Sequence, residues 1–98
     1  MYYLVWTYKV DPIKQSEFEE EYSRNGSWFK FYEPCADYMG HELIKNEKSS
    51  DYLLIDKWMS KDAYEHFVKS NLLEYDAINR KSSELYEEEV QVGGYNSI

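Results

Sequence analysis

The sequence predicts an α+β protein of ferredoxin-like βαββαβ order, a four-stranded antiparallel sheet with its helices on one face. Three observations carry the prediction. A hairpin signature lies in the middle of the 98-residue chain, a capped helix follows it at once, and a strand-like segment stands near each end. The first of these segments, Tyr2 to Val10, is rich in β-branched and aromatic residues and stops at the turn signal Asp11-Pro12.

From Ile13 to Tyr32 the apolar positions Phe18, Tyr22, Phe29 and Tyr32 recur at helical spacing, while Glu17, Glu19, Glu20 and Glu21 form a solvated side. Asn25-Gly26 interrupts this helix. Ser27 caps a second short segment carrying Trp28, Phe31 and Tyr32, and Glu33-Pro34 ends it. In the hairpin, Asn46 through Asp51 is the polar break, and the apolar run Leu53 to Met59 is the buried strand after it. Ser60 then stands where a helix N-cap belongs, with Asp62 in the first turn to complement the helix dipole. Ala63, Phe67, Asn71, Glu74 and Ile78 lie along one stripe with Tyr64 and Tyr75 beside it, predicting a long helix bent near Ser70-Asn71 and continuing past Leu85. The run Glu87-Glu88-Glu89 reads as a solvated helix end. Val90 to Tyr95 is the last strand, its Gly93 and Gly94 marking a bulge or a close backbone approach.

Right-handed crossovers put both helical segments on the same face of such a sheet and leave the other face bare. On strand one the alternate sets are Tyr3, Val5 and Thr7 against Leu4, Trp6, Tyr8 and Val10, and both are too apolar to face water. A second subunit supplying its own sheet would cover the bare face, so a homodimer is expected.

A chain of this length is read as one domain spanning residues 1–98. Its eleven Tyr and three Trp pair apolar bodies with polar tips, which suits half-wet clefts and interfaces. The net charge of −8 argues against nucleic acid and against an anionic membrane surface as partners. No apolar run approaches the roughly 20 residues of a membrane span, and Met1-Tyr2-Tyr3 lacks the basic start of a secretion signal, so a cytoplasmic location is expected. Cys35 stands alone and is read as a semi-buried thiol, since one cysteine forms neither an intramolecular disulfide nor a multi-cysteine zinc site. Two histidines and scattered acids show no metal-ligand spacing, and no helix follows Gly93-Gly94 to make a phosphate loop. No cofactor is expected.

The sharpest chemical candidates are His41 and Asp56. A loop of Glu47 to Ser50 sets them opposite each other on adjacent strands, with Tyr52 and Trp58 on the same face. A carboxylate beside an imidazole raises its pKa and orients its ring, which suits proton abstraction from a phenol or an activated carbon. The plainer reading is a surface cross-strand pair. Trp28, Trp58, Tyr64 and Phe67 are candidate walls of a pocket for a planar ligand, and equally candidates for ordinary core. His66 is expected to be exposed.

Taken together, Val5-Trp6-Thr7-Tyr8-Lys9-Val10 with Pro12, Gly26-Ser27-Trp28, Tyr38-Met39-Gly40-His41-Glu42-Leu43 and Tyr52-Leu53-Leu54-Ile55-Asp56-Lys57-Trp58 with Ser60, Ala63 and Tyr64 resemble the antibiotic-biosynthesis monooxygenase-like proteins of the dimeric α/β-barrel superfamily. The resemblance covers nearly the whole chain; Asp37 departs from it, where similar sequences often carry Gly. It implies a monomer paired through its sheet, a cleft between sheet and helices, and cofactor-independent oxidation of a small aromatic or polyketide-like compound. The runner-up is a non-catalytic, small-molecule-binding or stress-associated dimeric barrel. By the strand-one correspondence Thr7 would face the cleft and bind a ligand carbonyl, leaving Trp6 and Tyr8 to the dimer interface. The haem-degrading branch uses an Asn, a Trp and a His where this chain has Thr7, Trp58 and Ala77, so the resemblance does not extend to that iron site. A helix histidine found in other small members falls here on Phe67, with His66 one residue away.

Overall fold

A computed structural model describes residues 1–98. It contains β1 (Tyr2–Lys9), a 3-10 turn (Pro12–Lys14), α1 (Gln15–Glu21), α2 (Ser27–Tyr32), β2 (Tyr38–Lys45), β3 (Asp51–Trp58), α3 (Lys61–Ser70), α4 (Leu72–Ser82), a second 3-10 turn (Ser83–Leu85) and β4 (Glu88–Asn96). The sheet runs β2-β3-β1-β4 with every neighbour antiparallel. This is the expected α+β architecture.

Local chemistry explains the boundaries. The Asp11 carboxylate accepts from the Ile13 N–H and Pro12 opens the turn after β1, where its missing N–H costs nothing. The hairpin closes through the Asn46 N–H, which donates to the Asp51 carbonyl at 2.8 Å. Ser60 caps α3 by accepting from the Ala63 N–H at 3.1 Å. The long helix predicted from the stripe is broken into two at Asn71, whose backbone leaves helical geometry (φ −131°, ψ 36°) and whose side-chain amide donates to the Phe67 carbonyl. The residues that α3 and α4 turn inward are Tyr64, Phe67, Val68, Tyr75 and Ile78, whereas Glu74 is exposed. The acidic run also differs from its reading: Glu88 and Glu89 belong to β4 and pair with Lys9 and Tyr8.

The parity of β1 is the reverse of the expected one. Tyr2, Leu4 and Tyr8 are buried under the helices, and Trp6 packs against both halves of the core, so neither Trp6 nor Tyr8 lies on the bare face. Both alternate sets are apolar, but the bulkier aromatic set fills the space beneath four helices and wins their cover. Thr7 therefore sits on the uncovered face with Tyr3 and Val5, opposite Leu53 of β3 and Val90 of β4. On that face Ile44 and Val90 are 45% and 44% exposed, and Tyr95 is 52% exposed.

One core half gathers Tyr8, Val10, Phe18, Tyr22, Tyr52 and Leu54; the other gathers Tyr2, Leu4, Phe31, Tyr32 and Trp58. Phe18 and Tyr22 stack at 4.4 Å between ring centroids, and Trp58 meets Tyr32 edge-on at 5.2 Å. Cys35 is a half-buried free thiol against the second half. The short helices are clipped by Glu21, whose carboxylate accepts from the Ser27 N–H at 2.9 Å and from the buried Ser82 hydroxyl at 3.0 Å. That clip brings the Glu21 carbonyl against Gly26 so closely that any Cβ there would fall inside the carbonyl's van der Waals radius. A Gly26→Ala protein should lose about 1–3 kcal/mol of unfolding free energy, as overpacked sites do, read from the shift of its urea midpoint at unchanged slope.

Candidate functional site

The site is built from the helix-facing residues of β1 and β3. Alternation along β3 turns Tyr52, Leu54, Asp56 and Trp58 toward the helices, and all four are buried. Leu4 of β1 and His41 of β2 flank Asp56 in the register, so the expected alignment of His41 with Asp56 is present. β2 reaches it through an irregularity between Tyr38 and Gly40, where Gly40 takes φ +100°, a conformation open to glycine.

Alignment does not bring the two side chains into a pair. The Tyr38 hydroxyl lies 3.1 Å from His41 Nδ1, and the imidazole ring rests against Phe29. The expectation that the carboxylate would raise the His41 pKa is reversed: burial pushes it down, and the Arg24 and Lys57 charges push the same way, against the Tyr22 backbone carbonyl. Asp56 makes no ion pair, the one salt bridge of the chain being Lys57 to Glu42 at 3.8 Å. Burial raises its carboxyl from 3.8 to about 7. The indole N–H of Trp6 opposes that rise by favouring the charged form, without reaching full hydrogen-bond geometry. Near neutral pH this acid is poised between its two forms, which is the condition for moving protons there.

Beside Asp56 the structure leaves a slot of about 30 Å³ whose lining includes Trp6, Tyr8, Trp28, Tyr75, Asn79 and Glu89. A smaller recess of about 10 Å³ adjoins it on the side of Phe29, Tyr38 and His41. Tyr22, Trp28, Tyr32, Leu54 and Asp56 border both. Burial holds the Tyr22, Tyr32 and Tyr75 phenols above their ordinary range, so they stay neutral hydroxyls around the carboxyl.

Of the predicted wall residues, Trp28 lines this slot, while Trp58, Tyr64 and Phe67 do not. Trp58 is fully buried, with its ring 5.5 Å from Tyr64 and 5.8 Å from Phe67, so these three rings pack on one another as core under α3. Thr7 is on the far side of the sheet, in an open groove of about 500 Å³ that it shares with Ile44 and Leu53. The three positions compared with the haem-degrading branch do not converge: Thr7 faces away, Trp58 is sealed, and Ala77 is exposed on α4. His66 is exposed, as expected. Sequence reasoning missed Trp6, Tyr8, Tyr75, Asn79 and Glu89, and only the correct parity of β1 would have found the first two.

A helix-covered antiparallel sheet in βαββαβ order, with a carboxyl buried among indoles and phenols, defines a ferredoxin-like α+β protein with a small slot inside its aromatic core. Residues 1–74 match the family model described as antibiotic biosynthesis monooxygenase, and the chain belongs to that family. Among solved structures it is similar to a Bordetella bronchiseptica protein assigned the same family name (16% identity over 99% of this chain and 96% of that one, TM-score 0.79). SnoaB, a cofactor-independent oxygenase from Streptomyces nogalater, solved as its N63A mutant, is 20% identical over 98% of this chain and 91% of its own, with TM-score 0.68. The monooxygenase from the gene ActVA-Orf6 of Streptomyces coelicolor, solved with the ligand nanaomycin D, is 16% identical over 99% and 89%, with TM-score 0.73. Identities this low speak for the fold. No curated protein matches the sequence.

The buried acid has a consequence for stability. A carboxyl at 3.8 in the unfolded chain and about 7 in the folded one binds more protons when folded, so stability falls as pH rises between those values and is level above. Asp56→Asn should therefore be more stable than the parent at pH 8, by on the order of a few kcal/mol. The gain should vanish below pH 4, which denaturant melts at the two pH values will check.

Proposed function

We propose that this protein is a cofactor-independent oxygenase that deprotonates a small aromatic or polyketide-like compound, with Asp56 as the base. The observation that supports it is the Asp56 carboxyl itself, buried, free of any counter-charge and pushed up to about 7. In this reading an activated C–H of the substrate gives its proton to Asp56. The resulting anion passes an electron to dioxygen, the radical pair joins as a peroxide that takes the proton back from Asp56, and the hydroperoxide loses the second hydrogen of that carbon together with hydroxide, as water, leaving a carbonyl. The half-buried Phe29 and His41 rings form the outer wall of the adjoining recess, and a planar substrate reaches Asp56 by displacing them. Trp28 is the ring it stacks on.

The homodimer belongs to the same proposal. Val5, Leu53, Ile55, Val90 and Tyr95 make a contiguous apolar field on the uncovered face, of the kind that marks an interaction surface. A cytoplasmic site of action goes with it; no helix is long and apolar enough to cross a membrane. The engagement of His41 with Tyr38, which leaves Asp56 without a proton-handling partner on β2, favours a second reading, a dimeric barrel that binds a small molecule without turning it over.

Oxygen uptake with a panel of hydroquinones and anthrones separates the two readings. The oxygenase reading expects turnover that drops about 10²-fold or more in Asp56→Asn and less in His41→Ala; no uptake with any compound favours the binder. For the dimer, sedimentation should show two chains for the parent and one for Ile55→Lys, with the circular dichroism of the sheet retained.

A further inference from the structure

Trp6 and Trp28 both line the slot of about 30 Å³ beside Asp56, and their buried indole N–H groups, like that of Trp58 away from the slot, make no full hydrogen bond in the protein, Trp6 lying near the Asp56 carboxyl and Trp28 near the Tyr22 hydroxyl. A buried donor without a full hydrogen bond costs about 1–3 kcal/mol, and an acceptor held in the slot would offset that cost for Trp6 and Trp28. A water molecule needs only about 10–15 Å³ of such space and roughly two to four polar neighbours. The residues that line the slot carry such groups: the indoles of Trp6 and Trp28, the Asp56 carboxyl, the Asn79 amide and Glu89.

The strand order places Asp56 on one flank of β1 and Glu89 on the other, with Trp6 and Tyr8 between them on the intervening strand. Glu89 is half-buried, and its Oε2 accepts from the Tyr8 hydroxyl at 2.8 Å. One carboxyl is thus sealed in the core and the other reaches solvent, and both touch one water-sized cavity. We infer that this cavity is a water site joining Asp56 to Glu89, and that Glu89 is the solvent-side end of the path by which Asp56 exchanges protons. The transfer is balanced within the protein: the Asp56 proton passes to the water, the water gives a proton to the Glu89 carboxylate, and Glu89 releases it to bulk solvent. The other titratable groups facing Asp56 are Tyr8 on β1, Tyr22 and Tyr32 from the α1 and α2 segments, Tyr38 and His41 on β2, Tyr64 on α3 and Tyr75 on α4. All the phenols among them are held neutral by burial, and His41 is engaged with Tyr38, which leaves Glu89 as the carboxylate able to take the proton.

The inference rests on Asp56 being the base of the proposed reaction only for its purpose, and its test needs no turnover. Nuclear Overhauser contacts from water to the indole N–H protons of Trp6 and Trp28 should be present in the intact protein. Carboxyl carbon relaxation dispersion near pH 7 should report the Asp56 protonation rate, slowed several-fold in Glu89→Gln and retained in Glu89→Asp, while the pattern of Trp resonances shows the fold unchanged. Absence of water contacts at both indoles, or an equal exchange rate in Glu89→Gln, would overturn it. An Asp56→Asn protein with undiminished oxygen uptake would sink the base assignment and leave these two measurements standing, so the failures are distinguishable.

Discussion

Burial of the aromatic side of β1 and β3 beneath the helices is the interaction on which the remainder of the molecule depends. Four short helices have little stability of their own at six to eleven residues. They persist because Phe18, Tyr22, Tyr32 and Phe67 find rings to pack against on the sheet. The same layer sets the electrostatics. A carboxyl placed in it meets indoles and phenols in place of water, and its acidity follows from that neighbourhood more than from any charged partner.

Much of the architecture was legible because its signals are local. The Asp11-Pro12 stop, the Ser60 cap and the polar turn from Asn46 to Asp51 each act within a few residues, and each lies where it was read. The direction in which β1 faces is a different kind of fact. Both of its alternate sets are apolar, so hydropathy does not separate Trp6 and Tyr8 from Val5 and Thr7; only competition for cover by helices distant in sequence decides it. The misreading of Glu87 to Glu89 has the same origin. Acidic residues in a row look solvated until a strand pairs them, and then one of them, Glu89, meets the Tyr8 hydroxyl.

The site was legible to the level of the backbone and no further. Loop length sufficed to align His41 with Asp56, yet alignment across strands does not determine where side chains turn. His41 found Tyr38 on its own strand, and Asp56 was left to the slot. Trp58 shows the converse. Its position at the end of β3 was read correctly, but a ring that size, surrounded by Tyr32, Tyr38, Tyr64 and Phe67, is consumed by the core it anchors.

The irregularity at Gly40 gives β2 a property that no regular strand has. In an unbroken two-residue repeat, positions 38 and 41 project to opposite sides, and a phenol there never meets an imidazole three residues on. The extra residue cancels one reversal and makes them neighbours. Hydroxyl and ring thereby become a self-contained couple carried on a single segment, independent of how the hairpin's other arm is decorated. A lineage could therefore redesign the acid on β3 freely while inheriting this couple intact.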